Sequence, residues 1–346
     1  MRVTWAMSES KAMIMGCAGT RLSAEEEAFF ATERPWGLIL FARNIGAAGE
    51  IADLTARFRQ LVGRHDAPVF IDQEGGRVQR IRAPIAPDYP SGAVLGAIYR
   101  KDREAGLHTA RLMSRLHAAD LLPLGITADC LPVLDVPVPG SHDVIGDRAY
   151  GHDGATVAEL GEAAAEGLLE GGVLPVIKHI PGHGRALVDS HKALPEVDTD
   201  AQTLARIDFV PFGALSHMPM AMTAHVVYTA LDPDNPATTS ARVVGEVIRE
   251  QIGFDGLLMT DDLSMHALSG DFAARTKASL SAGCDVVLHC NGQMDEMRPV
   301  AEATPLLSGK ARERAERATA MAGMPGTEAR ADDLRAEFER LVAAVA

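Results

Sequence analysis

Eight short apolar runs punctuate the chain, at 12–17, 37–41, 68–71, 125–128, 174–178, 220–224, 256–260 and 285–288. None alternates apolar with polar residues, so each predicts a strand buried on both faces, as in a parallel sheet. Between them, 48–62, 103–119, 156–171, 242–251 and 272–282 carry apolar residues at helical spacing. Ser23 to Glu26 has the form of a capping box that opens an earlier helix. The stretch 201–215 is a poorer helix, because Pro211 interrupts it. Strands mostly followed by helices predict an α/β protein, a single (β/α)8 TIM-type barrel over about 12–300. Extra C-terminal helices are expected over about 301–346, where Ala, Arg and Glu dominate. A doubly wound open sheet is the alternative, but the glycine fingerprint it needs after the first strand is missing. With no linker or break in composition, residues 1–346 read as one catalytic domain.

Composition narrows the class of function. With 47% hydrophobic residues in 346, the chain can bury a large core without staples. Acidic residues exceed basic ones by 47 − 33, a formal charge of −14, which argues against a nucleic-acid partner. No run approaches the roughly 18 apolar residues of a membrane span. Cys17, Cys130, Cys284 and Cys290 form no CxxC pair and sit among apolar neighbours, implying reduced, buried thiols and a cytoplasmic location. Ile14-Met15-Gly16-Cys17 has the shape of a lipoprotein box, yet Ser8, Glu9, Ser10 and Lys11 interrupt the apolar region such a signal needs. The N-terminus is therefore read as mature.

A barrel concentrates chemistry where its strands end. The polar residues just past each run are Asp72 (third strand), Asp129 (fourth), Lys178 and His179 (fifth), His225 (sixth), Asp261 (seventh), and His289 with Asn291 (eighth). Each alone is explained as a helix cap or turn residue; together they predict a site. The segment KHIPGHGRALVDSH, from Lys178 to His191, is the richest. Pro181, Gly182 and Gly184 exclude a helix there and shape a loop. Asp189 lies close enough to His191 to orient its ring and stabilise an imidazolium, the arrangement of a general acid/base. A metal site from His179, His183, Asp189 and His191, with His225 as a further donor, ranks second. A plain polar loop ranks third.

The run MTDDLSM ends the seventh strand, and alternation predicts that one of Asp261 and Asp262 faces the mouth. A carboxylate there suits a nucleophile toward an anomeric carbon. In DQEGGRVQR, from Asp72 to Arg80, paired glycines allow close backbone approach, and Asp with Arg suits sugar hydroxyls. Arg148, in IGDRAYG, reads as a loop ion pair or a substrate clamp. Lys178, at a strand end beside His179, is not the kind of lysine that sits free on a surface.

DQEGGRVQR, IGDRAYG, KHIPGHG-x4-DSH and TDDLSM occur in this order in family-3 glycoside hydrolases of the NagZ type, which this sequence resembles from about residue 16 to 290. The resemblance implies a cofactor-free, metal-free β-N-acetylhexosaminidase of bacterial peptidoglycan recycling. Its substrate would be a small carbohydrate, N-acetylglucosaminyl-anhydromuramic acid with or without peptide. It implies Asp261 as nucleophile, His191 as general acid/base partnered by Asp189, and Asp72, Arg80, Arg148, Lys178 and His179 as sugar-binding residues. Thr260 stands where the family usually has serine. The implied mechanism is retaining hydrolysis through a covalent glycosyl-Asp261. A histidine in place of a second carboxylate also admits phosphate as acceptor, the reaction of a phosphorylase. Acting on an anionic substrate, an acidic protein needs a locally positive mouth, for which Arg80, Arg148, Lys178 and Arg185 are available. No membrane or nucleic-acid partner is expected, and a monomer is.

Overall fold

All eight apolar runs contribute strands to one closed barrel, the run 125–128 only at its end, in the computed structural model, which describes residues 9–190, 192–323 and 331–343. The strands are β1 (Lys11–Met15), β2 (Pro35–Leu40), β3 (Val69–Ile71), β4 (Ala128–Asp129), β5 (Leu174–Ile180), β6 (Met220–Thr223), β7 (Leu257–Asp262) and β8 (Val286–His289). Each hydrogen-bonds in parallel to its sequence neighbours, and β1 pairs with β8 to close the ring. The absence of alternation now has its cause. One face of each strand looks into the barrel, where Ile14, Phe70, Val176, Met222, Met259 and Leu288 pack together. The other face meets helices: Leu38, Val69 and Ile71 pack with Phe30, Leu54 and Phe58, and Ile177 and Leu258 with Leu160, Phe212 and Ile248. Both faces are apolar because both are dry.

The interior row also decides what reaches the mouth. Two residues beyond Phe70, Val176 and Met259 come Asp72, Lys178 and Asp261, on the same face by strand periodicity. All three line one cavity at the C-terminal ends of the strands. At the opposite end the barrel is plugged: Leu307, with Ala315 and Ala318 of helix Gly309–Ala320, joins the interior cluster beside Ala12, Trp36 and Leu257. A last helix, Ala331–Ala343, packs on helix Arg103–Leu121, with Phe338 against Tyr89 and Arg335 bonded to Asp120.

Local chemistry accounts for the helices. Ser23 and Glu26 close the expected capping box: the hydroxyl accepts the Glu26 N–H at 3.2 Å and the carboxylate accepts the Ser23 N–H at 2.8 Å. The interrupted stretch 201–215 is two helices, Ala201–Ile207 and Val210–Ala214. Pro211 lies in the first turn of the second, where a missing N–H costs no hydrogen bond. Segment Val243–Gln251 winds more widely than an α-helix, ending on a bond from the Ile252 N–H to the Val247 carbonyl five residues back. The plain strand–helix alternation also breaks after β3, where a hairpin of Gln73–Gly75 and Val78–Gln79 precedes two helices, Gly92–Lys101 and Arg103–Leu121. All four cysteines are buried and unpaired with one another. Among the described residues, no helix is long and apolar enough to cross a membrane.

Candidate active site

A chain of buried ion pairs forms one wall of the cavity. Lys178, 2% exposed, donates from Nζ to Asp72 Oδ1 at 2.9 Å and stands 2.7 Å from Glu74 Oε1. Arg80 holds the other Asp72 oxygen at 2.9 Å, and Arg148 grips Glu74 through two bonds of 2.8 Å. Burial alone would raise the Asp72 carboxyl, but Lys178 and Arg80 outweigh it and hold it well below the usual carboxylate range. Glu74 behaves likewise: burial opposes ionisation, and Arg148 and Lys178 hold it down to about 2. Arg80 is braced on its other side by Phe41, whose ring centroid lies 5.3 Å from its guanidinium carbon. Three cations meet two anions here, so this wall carries a net positive charge.

The loop after β5 supplies a second wall. His179 Nδ1 lies 2.7 Å from Asp135 Oδ2, while Asp135 Oδ1 accepts the backbone N–H groups of His179 (3.2 Å) and His183 (2.6 Å). Burial would raise the Asp135 carboxyl; the neighbouring His179 and His183 reverse that and hold it at about 2. An anionic Asp135 fixes the proton on His179 Nδ1 and turns Nε2 toward the cavity that His179 lines. Burial, with His179 alongside, pushes the His183 imidazole down to about 4, so it is neutral near pH 7, with Nε2 3.2 Å from Ser190 Oγ. Asp189 is half-buried at a turn whose carbonyl accepts the N–H groups of Lys192 and Ala193. His191, the expected acid/base, lies outside the described residues.

Substituting Asp135 by asparagine should therefore lower kcat/KM by roughly 10–10²-fold, because an amide cannot hold the same histidine tautomer while keeping both backbone bonds. Steady-state kinetics with a matched melting curve would check it; an Asp135→Asn enzyme of wild-type activity would remove His179 orientation from the account.

At the end of β7, Asp261 faces the cavity and its Oδ1 accepts the Asp262 N–H at 2.8 Å. Strict alternation would have turned Asp262 away. Instead the β7–β8 register slips between Met259 and Asp262, so both carboxylates border the cavity. The Thr260 hydroxyl accepts the Leu288 N–H at 2.9 Å within that slip. Asp262 is committed to the turn: Oδ1 accepts the N–H groups of Ser264 (3.0 Å) and Cys290 (3.1 Å), and Oδ2 the Ser264 hydroxyl.

Asp72, Arg80, Arg148, Lys178, His179 and Asp261 thus border one cavity. Several other strand-end residues do not. Asp129 follows the inward Ala128, points outward, and is buried 3.7 Å from His117 while accepting the Gln73 N–H. His225 bonds Thr238 and the Asp262 carbonyl. His289 packs on Phe272, and Asn291 bonds Glu296. Arg185 turns from the mouth to Asp208, so the local positive charge comes from Arg80, Arg148 and Lys178. Among the described residues, no group of three or more His, Cys, Asp or Glu side chains is placed to hold a metal ion. Sequence reading passed over Glu74 and Asp135. Glu74 sits inside DQEGGRVQR, where its acidity was visible; Asp135 lies in an unremarked apolar stretch with no local signal.

A closed barrel with cations, carboxylates and an oriented histidine at its strand ends is a TIM-barrel enzyme built for a polar substrate. The model of the glycosyl hydrolase family 3 N terminal domain matches residues 7–321. A β-hexosaminidase of Alkalilimnicola ehrlichii is 39% identical over 283 residues, covering 81% of this chain and 80% of its own. NagZ from Neisseria gonorrhoeae, solved in complex with N-trifluoroacetyl-D-glucosamine, superposes with a TM-score of 0.84 at 32% identity, over 97% of each chain. A family 3 β-N-acetylglucosaminidase from Paenibacillus sp. str. FPU-7 gives 0.85 at 28% identity, over 98% of this chain and 68% of its own. The chain belongs to glycosyl hydrolase family 3. It is a glycoside hydrolase of the β-hexosaminidase type.

Proposed function

We propose that this chain is a retaining β-N-acetylhexosaminidase that removes non-reducing terminal N-acetylglucosamine from β-linked muropeptide fragments, N-acetylglucosaminyl-1,6-anhydromuramic acid with or without peptide, in cytoplasmic peptidoglycan recycling. It acts as a single catalytic domain and a monomer. The observation that carries the reading is Asp261, which faces the same cavity as Arg80, Arg148, Lys178 and His179. An amino-sugar ligand in the structurally similar gonococcal enzyme supports the sugar class.

Asp72, Lys178, Arg80 and Arg148 receive the sugar hydroxyls. Asp72 spends one bond per oxygen on its cations, so lone pairs remain to accept from hydroxyls. Asp261 attacks the anomeric carbon while His191, oriented by Asp189, protonates the departing oxygen; a glycosyl ester forms and the aglycone leaves. The resulting neutral His191 then takes a proton from water, which opens the ester with net retention. Engagement of both Asp262 oxygens by Ser264 and Cys290 favours Asp261 as nucleophile over a mechanism in which paired acids orient the substrate's acetamide.

The test is hydrolysis of an aryl β-N-acetylglucosaminide with and without a strong chelator, followed by trapping with a fluorinated N-acetylglucosamine donor. Chelator-insensitive turnover and a mass adduct on the peptide holding Asp261 are expected. Activity lost on chelation and restored by metal would reassign the loop histidines as ligands. Inhibition without an adduct would sink the covalent mechanism.

A further inference from the structure

The β5 loop is anchored at its root by contacts outside the cavity. The Gly182 carbonyl accepts the Tyr228 hydroxyl at 2.7 Å, and the Ala186 carbonyl accepts the His142 N–H at 2.8 Å. Gly184 lies so close to Val136 that a Cβ there would stand 2.1 Å from its carbonyl oxygen. Between these points, Arg185 Nε donates to Asp208 Oδ2 at 2.7 Å, with the two side chains 13% and 1% exposed. Asp208 follows helix Ala201–Ile207, and its N–H bonds the Leu204 carbonyl, so its position belongs to the barrel's outer layer and not to the loop. Arg185 is one of four residues between the PGHG and DSH parts of the motif, and it does not line the cavity. Beyond Ala186 the chain is exposed at Leu187 (66%) and Val188 (39%) before it turns back in at Ser190, which is buried with its hydroxyl 3.2 Å from His183 Nε2.

We infer that Arg185 and Asp208 form a positioning pair, a buried ionic tether that sets the point from which the loop departs toward Asp189 and so aims its proton donor over the glycosidic oxygen. The inference rests on the proposed function, in which this loop supplies the acid. A charged pair is well suited to fixing that point, because burying two charges is favourable only while each holds the other; the tether therefore has one low-energy arrangement. A misplacement of about 1 Å at the far end is enough to cost about 10²-fold in rate. Because Arg185 acts through the donor, its loss should matter only where the leaving group needs a proton.

The experiment compares wild type, Arg185→Met, Arg185→Lys, Asp208→Asn and the Arg185→Met/Asp208→Asn double variant on β-N-acetylglucosaminides of graded leaving ability. For Arg185→Met, kcat/KM should fall about 10–10²-fold with a 4-methoxyphenyl aglycone and less than about 3-fold with 2,4-dinitrophenyl, which departs without protonation. Inhibition by free N-acetylglucosamine should stay within about 2-fold. Arg185→Lys should recover part of the loss, Asp208→Asn should reproduce the pattern, and the double variant should be no worse than either single change. Equal losses across leaving groups, weakened N-acetylglucosamine inhibition, or additive losses would overturn the tether. Hydrogen exchange over 181–193 separates this inference from the functional reading. Should wild type turn over none of these sugars, the reading fails. The tether still predicts exchange about tenfold faster in Arg185→Met and Asp208→Asn, and unchanged exchange overturns it.

Discussion

Asp261→Asn is expected to lower kcat by on the order of 10⁴–10⁶-fold, the largest effect of any single change in this protein. The amide cannot form the glycosyl ester, and it removes the negative charge that faces the oxocarbenium-like carbon in the transition state. Its oxygen can still accept the Asp262 N–H that Asp261 Oδ1 now holds at 2.8 Å, so the strand end should keep its shape. Melting temperature and inhibition by N-acetylglucosamine should change little, which distinguishes a chemical loss from a folding one. Asp261→Ala opens room for a small external nucleophile. With azide and an activated aryl donor it should produce the α-glycosyl azide, the anomer expected when a solution anion attacks from the vacated face. An Asp261→Asn enzyme retaining more than about a tenth of wild-type turnover would end the assignment of Asp261 as nucleophile.

Lys178→Met should be the most damaging change to the binding wall, costing about 3–5 kcal/mol of stability at neutral pH. The ammonium is 2% exposed and lies between Asp72 and Glu74. Methionine fills the space but leaves two buried carboxylates with one cation each, Arg80 for Asp72 and Arg148 for Glu74. The sign of the pH dependence follows from the depressed carboxyls. Glu74 is lowered from 4.5 to about 2, and Asp72 is lowered as well. Each adds stability that is complete above its unfolded value and is lost as pH falls through the folded one, so for Glu74 the window runs from 4.5 down to about 2. Without Lys178 both acids should protonate at higher pH and acid unfolding should begin earlier. The gap between wild type and Lys178→Met should therefore be widest near pH 7 and narrow toward pH 3, where protonated acids need no counter-charge. Urea unfolding at pH 7, 5 and 3 measures it; a gap independent of pH would show that Lys178 acts by packing alone. KM for an aryl N-acetylglucosaminide should rise in the same variant, because Asp72 loses half of its support.

The amino-acid sequence by itself determined the barrel and most of the binding wall. Strands buried on both faces must be apolar at every position, so eight unbroken apolar runs with helical spacing between them admit few other folds. Asp72, Lys178 and Asp261 were legible for a related reason: each is a charged residue at the end of a run that tolerates none within it. Tertiary structure decided which strand-end residues turn inward. Asp129, His225 and His289 occupy the same place in the sequence pattern as Asp72, Lys178 and Asp261, yet Asp129 and His289 lie outward by a single step of strand parity, and His225 is bonded to Thr238 and the Asp262 carbonyl. Parity relative to the barrel axis depends on how neighbouring strands register, and that is a property of the closed sheet. The slip between β7 and β8 that admits both Asp261 and Asp262 to the cavity is of the same origin. Partnerships across the chain were equally hidden. Asp135 meets His179 from 44 residues away, and Asp208 meets Arg185 from 23. These contacts act through space, so neither carboxylate carries a mark of its partner in the local sequence; only closure of the barrel brings the groups together, where His179 and His183 outweigh the burial of Asp135, while burial still leaves the Asp208 carboxyl raised to about 6 beside Arg185.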